Sequence, residues 1–192
     1  MNAAPTAAPK PARLASDVAR PLSLSDKAVQ LLTTAMSPRQ FFDTLVAAQM
    51  LDDAIRFLAA ALPKREAVGW SVLCVKDAIP KPLEPAAAKA LAVAEAWVKE
   101  PSEANRQAAG AAADVAGYGT ATGCLAAAAF WSGGSLAPAH LPPVPPRDDL
   151  TGTAVTGAIL LASASAATGP DPAKVKYVSL GGDVASGRLK VY

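Results

Sequence analysis

His140 is the chain's one histidine. An imidazole acting as a base needs a nucleophile within hydrogen-bond reach and a carboxylate to orient it. Ser132 and Ser135 precede it and Asp148 and Asp149 follow it, so the parts of a Ser–His–Asp triad lie in one short stretch. Their context argues against hydrolysis. Ser132-Gly-Gly-Ser135 is not the Gly-x-Ser-x-Gly elbow, and it follows a helical pattern, not a strand. A loop histidine bonded to backbone or water is the expected role. Gly182–Gly187 has the end-to-end spacing of a phosphate-binding loop, but Arg188 and Leu189 stand where lysine and Ser/Thr are required. Asp52 and Asp53 sit where a helix should begin, a place where carboxylates cap and complement the dipole; Asp52 and Arg56 have the spacing of a pair on one face. Cys74 and Cys124 are far apart and form no CxxC, so with a single histidine there is no metal-ligand set. The expectation is no catalytic residue, no metal and no cofactor.

The stretch from Phe130 to Pro146 offers recognition chemistry instead. Pro142-Pro-Val-Pro145-Pro-Arg147 fits PxxPxR, a polyproline II ligand pattern. Proline restricts the chain before binding, so such a segment docks with little ordering cost. The same stiffness suits a strut laid across helices, with Leu136, Leu141 and Val144 as its docking side chains, and the strut is the favoured reading. Burial of Leu141 and Val144 decides between the two. Candidate partner-binding residues are Trp131, Gly133, Gly134, Leu136, His140, Pro142, Pro145 and Arg147. Trp70 and Trp97 have apolar neighbours at helical spacing and are expected in the core.

These residues hang on a helical frame. Ser25–Ala35 reads as a short helix. Ser37-Pro38-Arg39-Gln40 combines an N-cap serine, proline at the first position and a glutamine that completes a capping box. The helix it opens is expected to break near Met50, with a second one running to Leu62. Further helices are expected from Pro63 to the Pro80/Pro82 pair, from Glu84-Pro85 to Val98, from Pro101-Ser102 to Gly117-Tyr-Gly119, over Thr120–Trp131 and over Thr151–Thr168. Val175–Leu180 and Arg188–Val191 alternate enough for a hairpin, but Asp171-Pro172-Ala173 is a helix start, and a helix to about Gly187 is favoured. The fold class is therefore all-α: eight to nine helices in consecutive antiparallel pairs, forming an irregular superhelix or compact bundle.

Composition narrows the partners. A net charge of +2 over 192 residues, with no block of like charges, does not predict nucleic-acid binding. Apolar residues make up 52% of the chain, with alanine the main excess, so the core should depend on close helix approach. Residues 1–22 read as a disordered Ala/Pro-rich tail without the apolar stretch of a secretory signal, ahead of a single helical domain over 23–192 whose connector, 130–149, lies on the surface. Thr151–Pro170 carries no charge, yet its threonines, serines and glycines make it a core helix and not a membrane span. Two isolated cysteines fit reduced thiols in the cytoplasm.

Three motifs are distinctive: Leu62-Pro-Lys-Arg-Glu-Ala-Val-Gly-Trp70; Trp97 followed by Pro101-Ser-Glu-Ala-Asn-Arg106; and Phe130-Trp-Ser-Gly-Gly-Ser-Leu-Ala-Pro138 with Leu141-Pro-Pro-Val-Pro-Pro146. On these the chain, over roughly residues 37–187, resembles an uncharacterised bacterial family of small alanine- and proline-rich proteins. Gly69 stands where such relatives tend to carry a second bulky aromatic. Arg65 and Glu66, inside the first motif, are expected to clasp the preceding helix. The resemblance implies an accessory or adaptor role, with an association with type VI secretion loci. The expected function is thus a non-enzymatic, protein-binding adaptor or chaperone-like protein. An enzyme with a site assembled from scattered residues, and a structural subunit that self-associates through alanine-rich faces, are the alternatives.

Overall fold

The computed structural model describes residues 13–79, 82–138 and 140–192. Among them are ten helices and no strand. The capping box forms as its sequence requires: Ser37 Oγ accepts from the Gln40 N–H at 3.3 Å, and Gln40 Oε1 accepts the Ser37 N–H at 2.9 Å. It opens α3 (Pro38–Ala47), which ends where Gln49 adopts φ 57, and α4 (Leu51–Ala61) follows. The break near Met50 is therefore a left-handed residue between two helices. Pro63 begins α5 (Lys64–Ala78), and Glu84-Pro85 begins α6 (Pro85–Lys99). Ser102 caps α7 (Glu103–Ala116) and Thr120 caps α8 (Ala121–Phe130), each by accepting a backbone N–H. After the connector come α9 (Leu150–Ser165) and α10 (Pro170–Ala185). Of the two stretches that alternate like a hairpin, Val175–Leu180 is helical, with Tyr177 and Gly181, and Val178 and Gly182, buried four residues apart, and Arg188–Val191 follows α10 as irregular backbone.

Two short helices precede these, α1 (Ala15–Ala19) and α2 (Asp26–Leu31). The first lies inside the span expected as a disordered tail. Ala15 and Val18 are fully buried, and the Ala15 N–H donates to Met36 O at 2.9 Å. The folded body thus includes residues placed in the tail by composition alone; the rest of that expected tail, 1–12, lies outside the described residues.

Consecutive helices pack on one another from α6 through α9, and α9 also packs on α4, α5 and α10. This central helix gathers the others into a bundle, since both halves of the chain share its surface. Ala126, Ala127, Ala128 and Ala129 are all buried, which brings α8 close to its neighbours. The bulk comes from a few large side chains. Phe41 and Phe57 meet edge to face with centroids 4.8 Å apart. Trp70 is fully buried with its indole N–H on Tyr177 O at 2.8 Å, and Trp97 is 5% exposed. Both are core residues, as their spacing predicts. No helix among the described residues is long and apolar enough to cross a membrane.

The first motif works differently from expectation. Arg65 clasps the C-terminus of the following helix: its Nε donates to Val98 O at 2.7 Å and a terminal nitrogen to Lys99 O at 2.8 Å. Those carbonyls end α6 and have no helical donors, so a cation there both bonds them and opposes the dipole. The Tyr192 ring lies 3.7 Å from the same guanidinium. Glu66 is half-buried at a 420 Å3 hollow beside Phe42, Leu58 and Ala185. A side-chain carbon added at Gly69 would collide with Val191, so the segment after α10 fills the place where an aromatic was expected.

Candidate functional site

The connector between α8 and α9 is built around a residue of the second motif. Arg106, on α7, is 3% exposed. Its Nε and one terminal nitrogen donate to the two Glu103 carboxylate oxygens at 2.7 and 2.6 Å. The other terminal nitrogen reaches Phe130 O at 2.7 Å, and the first also reaches Ser135 O at 3.0 Å. The planar fork thus ties one helix to both the start and the neck of the connector, an arrangement a lysine ammonium does not reproduce. The guanidinium also lies 4.8 Å from the Phe130 ring centre. Gly134 packs on its far side: φ is 64°, and an added side-chain carbon would sit 2.6 Å from Arg106 Nε. Both the left-handed backbone and the close approach demand glycine there. Bonding to Arg106, and secondarily to Gln107, holds the Glu103 carboxyl down at about 2.

Beyond the neck the chain closes on itself. The Leu136 N–H donates to Val144 O at 2.8 Å, and the Val144 and Ala137 N–H groups both donate to Ser135 Oγ at 3.0 Å. Leu141 N–H donates to Pro138 O at 2.9 Å. Leu136 is half-buried at this neck, while Leu141 is 51% and Val144 52% exposed. The docked strut is therefore corrected: two of its three docking side chains face solvent, because the loop is held by its own backbone and by Arg106 instead. Pro142, Pro143 and Pro145 are exposed and Pro146 half-buried.

Where the connector meets α9, Arg147 is engaged by Asp149 through hydrogen bonds of 3.0 and 2.6 Å. That hydrogen bond lowers the Asp149 carboxyl and raises the arginine. Beside it opens a hollow of 690 Å3 lined by Arg13, Val18, Leu62, Lys64 and Thr151. Lys64 faces Asp148 at 3.7 Å, and Arg13 donates to Ala60 O at 3.4 Å. Trp131 is half-buried and stacks on Tyr118, centroids 5.7 Å apart and planes 4° from parallel. Tyr118 is 47% exposed and donates its O–H to Asp114 at 2.6 Å. That bond, then burial, pushes the phenol up to about 12.

The triad parts do not meet. Ser135 Oγ is committed to the loop neck and Asp149 to Arg147, and no hydrogen bond joins exposed His140 to either among the described residues. Gly182 lies inside α10, packed near Phe42, and not in a phosphate-binding loop. No group of three or more His, Cys, Asp or Glu among the described residues is placed to hold a metal. Burial pushes both cysteine thiols up, Cys74 most, so neither is a ready thiolate. Asp52 pairs with Lys174 at 2.6 Å and not with Arg56, and Asp53 accepts from Ser25 N–H and O–H at 2.9 and 2.8 Å, fixing the start of α2.

Of the predicted site residues, the structure gathers Trp131, Gly133, Gly134 and Leu136 at the connector's neck, and places His140, Pro142, Pro145 and Arg147 along its exposed run. Arg106 and Tyr118 were not among them. The signal for Arg106 was present as an i, i+3 pair with Glu103 at the end of a distinctive motif; Tyr118 read only as part of a Gly-Tyr-Gly helix end. Comparison with known proteins finds no matching curated protein and no matching solved structure. A family profile described as a family of unknown function, DUF6931, matches residues 41–185, a span that runs from α3 through α10 and contains the whole connector with its Arg106 anchor. The chain belongs to this family.

Proposed function

We propose that this protein is a non-enzymatic adaptor or chaperone-like accessory protein that binds another protein through the connector between α8 and α9, in the cytoplasm and beside a bacterial secretion system. The observation that carries the reading is the anchored, solvent-facing loop. A buried guanidinium fixes both its entry and its neck, yet Leu141 and Val144 are left half exposed. Burying a cation costs several kcal/mol in desolvation, and at this place it holds a display segment and no reactive group. The half-buried Trp131–Tyr118 stack beside the neck adds aromatic surface of the kind enriched in protein interfaces.

The test is a photo-reactive side chain at position 141 of the full chain, expressed in its native host. One discrete covalent adduct with a heterologous protein is expected, and the same probe in an Arg106→Ala chain should give much less of it. A probe that yields only unmodified chain or copies of itself refutes the adaptor reading.

A further inference from the structure

We infer that Leu141–Arg147 is itself a preformed polyproline II ligand, and that the partner is a domain with an aromatic-lined polyproline groove and carboxylates at one end for Arg147. This rests on the adaptor reading and names its partner class. Proline fixes φ near −65° and pushes the residue before it toward extended backbone. Leu141, Pro142, Val144 and Pro145 each precede a proline, so the sequence imposes polyproline II geometry along the run. That helix repeats every three residues. Leu141, Val144 and Arg147 therefore share one edge, and all three are exposed: 51% and 52% for the aliphatic pair and 77% for the arginine side chain. Pro142 and Pro145, also exposed, form the adjacent edge. At about 3.1 Å per residue the edge is roughly 19 Å long, and it reads aliphatic-Pro, aliphatic-Pro, cation.

The backbone excludes the other modes of peptide capture. Strand addition needs a row of N–H donors, but four positions of this run are prolines and the Val144 N–H is spent on Ser135 Oγ. A helix in a groove is forbidden by the same prolines. The loop's inner hydrogen bonds, Leu136 N–H to Val144 O among them, hold the segment from behind and leave its outer edges free. One feature limits affinity: Arg147 is already chelated by Asp149, so a partner carboxylate must compete for it. Asp149 makes no side-chain cap on α9, and its removal frees the arginine at little cost to the helix.

The experiment titrates the unlabelled full chain into an isotope-labelled SH3 domain, chosen for a Tyr/Trp-lined groove and an acidic end, and follows amide shifts. Saturable shifts confined to the groove are expected. Arg147→Ala should weaken binding roughly tenfold, Asp149→Asn should tighten it, and Pro142→Ala/Pro145→Ala should abolish it while the far-UV spectrum stays unchanged. Shifts that are absent, or equal for the wild-type and double-proline chains, overturn the inference. The two readings fail separately. A photo-adduct at position 141 together with a silent titration removes the polyproline partner and keeps the adaptor; groove binding without any native adduct does the reverse.

Discussion

Replacing Arg106 with alanine tests whether the connector is held by that side chain or merely lies near it. The guanidinium donates to Phe130 O and Ser135 O, and hydrogen bonds to charged groups are each worth about 1.5–3 kcal/mol. Against this, the variant no longer buries a cation, which returns part of the desolvation cost. Glu103 adds little to the penalty, because its side chain is 62% exposed and water replaces the lost partner. The loop can also open and rehydrate the two carbonyls. The net is a loss of about 2–4 kcal/mol, the lower figure applying if the connector detaches as a unit. For a chain of this size, 2 kcal/mol lowers Tm by roughly 4–8 °C. Denaturant unfolding measures the global term, and hydrogen exchange measures the local one. The Leu136 and Val144 amides, bonded across the neck, should exchange roughly 30-fold faster, the equivalent of about 2 kcal/mol. Arg106→Lys should recover less than half, since one ammonium cannot span Glu103, Phe130 O and Ser135 O. Stability within about 0.5 kcal/mol of wild type, with unchanged protection at both amides, would refute the anchoring role.

Gly134→Ala should act through the same contact, by strained backbone and by displacing the guanidinium; about 1–3 kcal/mol is expected in unfolding measurements, with the same two amides deprotected. Leu141→Ser/Val144→Ser should leave unfolding free energy within about 0.5 kcal/mol, because both side chains are half exposed; a larger loss would restore the docked strut. Tyrosinate absorbance should show Tyr118 ionising near 12 and falling toward about 10 in Asp114→Asn. The folded state raises this phenol, so its contribution to stability is intact below about pH 10 and declines as pH rises toward 12.

The frame was legible because its signals are local. The box at Ser37–Gln40, the prolines at 38, 63 and 85 and the serine at 102 each start a helix by contacts within one turn. Tryptophans 70 and 97 were legible as core from helical spacing alone. What depends on distant partners was not. Arg65 reaches a helix end 33 residues on, and either neighbouring helix satisfied its sequence context equally. Val191 fills the space over Gly69 from across the chain. Ala15 and Val18 are buried by elements that come later, so the Ala/Pro composition around them concealed a helix.

The connector was misread for a related reason. The three-residue spacing of Leu141 and Val144, with Leu136 further back, is equally what a buried strut and an exposed ligand present, because a polyproline II segment repeats every three residues in either role. The tie is broken by where the backbone hydrogen bonds go. A strut would donate to the helices beneath it. Here the Val144 carbonyl and N–H are both met from within the loop, by Leu136 and Ser135, and the loop's fastening to the body is at its base, through Arg106 and through the Thr151 O–H on Trp131 O. A segment satisfied internally and pinned at one end has no need of the surface below it for stability. Its apolar side chains are then free to serve a surface on another molecule.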